Sequence, residues 1–287
     1  MAAYPENFDM IEREAERVAK ELDLPPCPRI LARFNEEFHS PQPDLRRLAA
    51  LIGTDVGLSA TILKTVNSPF YGLVRKATGV EQALSILGLR ACANVIGGLL
   101  LRRVFPAGSG PAMERFWDNS MRIAKLSAQI ASRFKGIDRD AAHTYVLFRD
   151  CGMLVMLRKF PQYTDIMDQS EMISGAQLTR IEDGRFKFNH ARVASALARS
   201  WSLSESLCGA IFNHHEFALM AKRTIGDEAA DRKLVAFGLL AEQIAALHGN
   251  RGLCPDWTEG ERFVLDTLDI DPDEIVRLTE DLRANAD

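Results

Sequence analysis

The chain has 287 residues, 47% of them hydrophobic and 26% charged, with a net charge of -4 at neutral pH. That is enough chain to bury a core in one large domain or two small ones, at a composition ordinary for a soluble globular protein. The basic residues are scattered and the balance is acidic, which excludes the footprint of a duplex nucleic-acid binder.

The longest apolar stretch near the middle, Val95 to Leu101, is too short to span a bilayer, so no membrane partner is expected. The start, Met1-Ala-Ala-Tyr-Pro-Glu-Asn, lacks a basic segment followed by an apolar one, so no secretory signal is expected. Cys27, Cys92, Cys151, Cys208 and Cys254 are odd in number, widely spaced and form no C-x-x-C. They read as reduced packing thiols, and a cytoplasmic location is expected. A nucleophilic Cys151 is disfavoured, because the neighbouring Asp150 would raise its pKa.

Helical periodicity runs through the chain, and sustained period-2 alternation is absent, so the expected fold class is all-α. Helices are expected near 6–22, 27–38, 44–52, 56–66, 80–87, 89–104, 112–134, 138–159, 161–170, 175–183, 189–200, 203–214, 229–248, 258–268 and 272–283. Leu45, Leu48, Ala49 and Ile52 share one helix face, as do Val80, Ala83, Leu84 and Leu87. Pro43-Asp44 opens the first of these and Gly88 closes the second. Ser202-x-x-Glu205 reads as a capping box. Asn67-Ser68-Pro69 reads as a helix stop, and Trp117 and Trp201 as core anchors. The segment Pro106 to Pro111, with two prolines and two glycines, is the best lobe boundary. No repeat of fixed period appears, which favours globular packing over a solenoid.

Many short motifs occur in an order that resembles the HDOD domain, a bacterial signalling module related to the HD metal-dependent phosphohydrolases. They begin with Leu24-Pro-Pro-Cys-Pro, the run Leu48 to Ser68, Tyr71-Gly72 and Val80 to Gly88. An apolar helix ending Arg103-Val-Phe and Phe116-Trp-Asp-Asn-Ser120 follow. The second half supplies Phe148-Arg-Asp-Cys-Gly152, Asn189-His-Ala-Arg-Val-Ala, Trp201-Ser-Leu and Asn213-His-His-Glu216. One departure is Val56 after Asp55, where the family usually has proline. The resemblance covers about residues 20–220. It implies a globular fold of two helical lobes: an N-terminal helix 1–23, then an HDOD-like domain 24–220. That domain divides into one lobe at about 24–106 and an HD-like lobe at about 111–220. Residues 221–287 read as a C-terminal helical extension.

HD phosphohydrolases bind metal through an upstream His, a His-Asp pair, further histidines and a late Asp. In this chain the comparison finds Asn119 and Ser120 but no His in the upstream helix, and Arg149 in place of the pair's His. Asp150 remains, His190 matches the next His, and His214-His215 match the adjacent pair. The late Asp is sought between Arg232 and His248, where Glu242 is the only acid. Arginine offers no lone pair and repels a dication. Two arrangements are therefore open. Asp150, His190 and His214 could form a weak three-ligand metal site. Alternatively, Arg149, Asp150 and a histidine form a hydrogen-bonded network without metal. The network is preferred, and no metal or other cofactor is expected. On a helix, adjacent side chains point about 100° apart, so His214 and His215 are not expected to share an ion. His143 reads as a surface or packing residue, and His39 and His248 carry no constellation.

Two functions follow from the resemblance. The first is a non-catalytic signalling module, an output or adaptor unit of a two-component or similar pathway. It would bind a signalling protein partner, or a small anionic ligand at Arg149, Asp150, His190, His214 and His215. The alternative is a weak single-metal phosphohydrolase acting on nucleotides or cyclic dinucleotides. No receiver, kinase or cyclase sequence is evident beside the HDOD-like region, so either an input on another chain or action of this chain alone is expected. Fold alone does not decide between these functions.

Overall fold

Short helices joined by capped turns build the chain, as the periodicity predicts. In the computed structural model, residues 4–68, 71–170, 172–222 and 228–284 are described, and among them there is no strand. They form α1 (Tyr4–Leu22), α2 (Arg29–Phe38), α3 (Leu45–Gly53), α4 (Val56–Val66), α5 (Val80–Leu87) and α6 (Leu89–Val104). After a short 3-10 turn come α7 (Pro111–Ile130), α8 (Arg139–Arg149), α9 (Gly152–Lys159), α10 (Thr164–Gln169), α11 (Gly175–Phe186) and α12 (His190–Ser200). The rest are α13 (Glu205–Phe212), α14 (Phe217–Met220), α15 (Glu228–His248), α16 (Trp257–Leu268) and α17 (Pro272–Ala284).

One compact unit comprises residues 25–104 with 200–203. Asp44 caps α3 by accepting from the Arg46 and Arg47 N–H groups. Asp55 caps α4 through the Leu58 N–H and also pairs with Arg103. Leu31, Phe34, Leu48, Ile52, Leu58 and Ile62 are fully buried between these helices. Asn67 ends α4, and its side chain holds the following loop by bonding both the N–H and the carbonyl of Ala77. Pro69, the last residue of that expected stop, lies outside the described residues. Trp201 is buried here, donating Nε1–H to the Pro25 carbonyl at 3.1 Å, while Asn35 donates to the Trp201 carbonyl.

The other unit comprises residues 1–24, 105–199 and 204–287. The expected lobe boundary at 106–111 falls beside the observed division between 104 and 105. The described residues of the N-terminal helix and of the C-terminal extension cluster within this unit. The reason is packing: Val18 and Leu22 of α1 and Val235, Leu240 and Ile244 of α15 are all buried. Trp117 of α7 is 1% exposed and donates Nε1–H to the Phe105 carbonyl at 2.7 Å.

Two expected elements differ from the structure. The helix expected over 138–159 breaks into α8 and α9, with Asp150 at φ -102°, ψ 0° ending the first. The capping box expected at Ser202 is not the cap. Ser204 accepts from the Leu207 N–H, and Ser202 takes a left-handed φ of 57°. Among the described residues no single helix is long and apolar enough to cross a membrane. All five cysteines are free thiols, four of them buried.

Candidate functional site

The break between α8 and α9 builds the site. Arg149 is the last residue of α8, and Asp150 leaves the helical ladder. α9 then begins at Gly152, where a Cβ would lie 2.0 Å from the His190 carbonyl oxygen and 2.8 Å from the Ala194 nitrogen. This backbone-to-backbone approach sets Asp150 beside the first turn of α12, where His190 stands. α13 stops at Phe212, so Asn213 to Glu216 form a turn. The expectation that His214 and His215 diverge is therefore corrected. It holds for a continuing helix, and here both rings face His190, with centroids 5.3 and 5.1 Å away.

Each histidine is held from behind. His190 donates Nδ1–H to Glu182 Oε2 at 2.8 Å, His214 to the Ile211 carbonyl at 2.7 Å, and His215 to Asp256 Oδ2 at 2.7 Å. An ionised carboxylate or a carbonyl can only accept, so these partners fix the tautomers and turn all three Nε2 atoms inward. His190 Nε2 lies 3.0 Å from His215 Nε2, and His214 Nε2 lies 3.1 Å from Asp150 Oδ1. One ligand atom from each of Asp150, His190, His214 and His215 falls within 4.8 Å of the others.

Behind His190, Glu182 is fully buried and also accepts from the His190 backbone N–H and the Tyr163 hydroxyl. Burial works to raise its pKa, but His190 holds the carboxyl below its ordinary value. Behind His215, Asp256 accepts from the Gly175 N–H at 2.6 Å. Its pKa falls to about 2, because His215 outweighs the cost of burial. Burial, with His215 adding to it, pushes His214 down to about 4, so its Nε2 is bare at neutral pH. Burial also works to lower His215, yet Asp256 raises it overall.

Arg149 stands on the other side of Asp150. Its side chain is 6% exposed, with Nε 3.1 Å from Asp150 Oδ2 and Nη2 3.0 Å from Glu242 Oε2. Burial opposes all three charges. The Arg149 guanidinium nonetheless holds Asp150 well below the usual carboxylate range, and the two acids keep Arg149 protonated. Glu242 stays raised, because burial outweighs its arginine.

The five residues singled out from sequence are thus brought together, with Arg149 joined to Asp150 as an ion pair and not by a hydrogen bond from its Nε. Glu242, sought as a metal ligand, faces Arg149. Asn119, where an upstream His was sought, lines the same cleft of about 210 Å³, together with Arg149, Asp150, His215, Glu242 and Asp256. Sequence reasoning missed Asp256, Glu182 and Tyr163. Asp256 sits just before α16, eight residues beyond the segment searched, and no local pattern marks it. His143 is half-buried, its pKa pushed to about 4 by burial and by Arg139, in keeping with a packing role.

The family model described as "HDOD domain" matches residues 24–217. The chain is similar to an uncharacterized protein of Treponema pallidum (strain Nichols), 25% identical over 199 residues. That alignment takes in 67% of this chain but 38% of the relative's length. Among solved structures, an HDOD domain protein of unknown function from Geobacter sulfurreducens superposes with a TM-score of 0.64 at 22% identity, covering 96% of each chain. A phosphohydrolase candidate from Shewanella amazonensis SB2B gives 0.65 at 19% identity, covering 94% of each. A signal transduction candidate from Marinobacter aquaeolei VT8 gives 0.57 at 19% identity, covering 97% of this chain and 64% of that one. At these identities the structures speak to the fold. With the family match over most of the chain, the helical order of the two units and the site at the α8–α9 break, this chain belongs to the HDOD domain family.

Proposed function

We propose that the chain is a non-catalytic signalling module of its family, acting as an output or adaptor unit through a protein partner or a small anionic ligand. The observation that carries this reading is the Arg149 guanidinium set between Asp150 and Glu242. A fixed side-chain cation stands on the carboxylate that a hydrolase uses to hold a metal. It cannot activate water as a nucleophile, and it opposes a dication placed on the same carboxylate. An anion meeting Arg149 also meets these two acids, so a ligand's anionic group is better placed elsewhere in the cleft.

The inward Nε2 atoms favour a second reading, a weak single-metal phosphohydrolase. A bare His214 Nε2 3.1 Å from an ionised Asp150 oxygen is a pair of acceptors, which one cation between them would satisfy. His190, His214, His215 and Asp150 fit one divalent ion, with Glu182, the Ile211 carbonyl and Asp256 behind the histidines. Such an ion would polarise a phosphoryl oxygen and supply hydroxide near neutral pH.

Turnover of p-nitrophenyl phosphate and bis(p-nitrophenyl) phosphate with added Mn²⁺ separates the two. The module reading expects a rate equal to that of Asp150→Ala. Metal-dependent turnover by the unmodified chain, lost in Asp150→Ala, would establish the enzyme instead. Ion binding without turnover leaves the module reading in place.

A further inference from the structure

The cleft is lined by buried and by exposed charged residues. Among them, Arg149 is matched by Asp150 and Glu242, and His215 by Asp256. Three further arginines, Arg115, Arg122 and Arg251, line the same cleft. Arg115 and Arg122 are two turns apart on α7 and so share a face. Arg122 is held in place, donating to the Ala245 carbonyl at 2.5 Å and to Asn119 Oδ1 at 2.7 Å. Arg115 and Arg251 are exposed. Arg115 pairs with Asp168, but both side chains are more than half exposed, and such a pair opens at little cost. The lining also carries apolar side chains, the buried Ile123 and Met167 and the exposed Leu253 among them.

We propose that this cleft binds a small organic phosphate, with the phosphoryl group at Arg115, Arg122 and Arg251 and an apolar body against Ile123, Met167 and Leu253. Guanidinium groups match phosphate oxygens in pairs, and three of them balance a dianion better than a single carboxylate. Beside Arg149 the same group would face Asp150, Glu242 and Asp256. The cleft's volume of about 210 Å³ suits a body of one or two rings. The assignment rests on reading the cleft as a ligand pocket and moves the anion from Arg149 to the three further arginines.

Calorimetric titration of the full chain with 1-naphthyl phosphate, in EDTA so that no ion contributes, tests it. Saturable binding is expected, with 1-naphthol and inorganic phosphate each weaker by about tenfold or more. Arg115→Ala and Arg251→Ala, both at exposed positions, should each weaken the probe by about fivefold to tenfold. Asp168→Asn, which frees Arg115, should tighten it by about threefold, a gain that a merely structural role for Asp168 would not produce. Absence of saturable binding at millimolar concentration, equal binding of 1-naphthol, or affinity unchanged in both arginine variants overturns the assignment. The module reading fails separately, through the turnover assay.

Discussion

Gly152→Ala is expected to be the most damaging small substitution in the chain, costing about 3 kcal/mol or more of stability. Gly152 has no left-handed φ, so the need is for space and not for backbone freedom. Its Cβ would meet the His190 carbonyl oxygen at 2.0 Å and the Ala194 nitrogen at 2.8 Å. Those are backbone atoms of a packed helix, which cannot swing aside as a side-chain end can. Relief requires α9 and α12 to separate, and that also moves Asp150 away from His190. Gly184→Ala is the control. Gly184 is exposed in the interior of α11, with nothing within 4 Å of its Cβ. There alanine should stabilise by about 0.5–1 kcal/mol through its helix propensity. Urea unfolding followed by circular dichroism measures both. A Gly152→Ala protein as stable as the parent would mean that the α9–α12 contact is looser than described.

The second large effect belongs to Arg149. Arg149→Met keeps the volume and removes the charge, leaving Asp150 and Glu242 without their cation. Breaking a buried pair in this way costs about 3–5 kcal/mol. Because the two acids keep 23% and 24% of their side-chain surface, the lower end is expected. The loss should depend on pH with a definite sign. Burial already raises Glu242, and without Arg149 it rises further. A carboxyl whose folded pKa lies above its unfolded value binds more protons when folded, so it favours folding in acid and costs stability as pH rises. The gap between Arg149→Met and the parent should therefore narrow from about pH 7 toward about pH 5. Adding Glu242→Gln should recover much of the loss at neutral pH. Equal stability of Arg149→Met and the parent across that range would show that the ion pairs contribute nothing.

What could be read from the sequence follows the reach of each interaction. Helices such as α3 and α5 were legible because their buried residues repeat within a single helix and their ends carry Asp44 and Gly88. The break at Asp150 was not legible. No proline or glycine precedes it, and its cause is the long-range contact of Gly152 with α12 at His190, 38 residues on (190 − 152). His214 and His215 were legible as residues but not as a pair, since their convergence depends on α13 ending at Phe212. Asp256 acts on a partner 41 residues away and Glu182 on one 8 away, and neither spacing is periodic. Arg149 carried most of the functional information, because the chemistry of a guanidinium differs from that of an imidazole wherever it sits.

In the proposed function Arg149 takes the place of a divalent ion beside Asp150. Metal stoichiometry at saturation tests that most directly: the purified chain is equilibrated with excess Mn²⁺ or Zn²⁺, freed of unbound ion and analysed for metal per chain. A plateau at no more than one ion per chain is predicted, with any ion held by Asp150 and the three histidines. Two ions per chain, both lost in Asp150→Ala, would mean that Arg149 yields its place and would contradict the account.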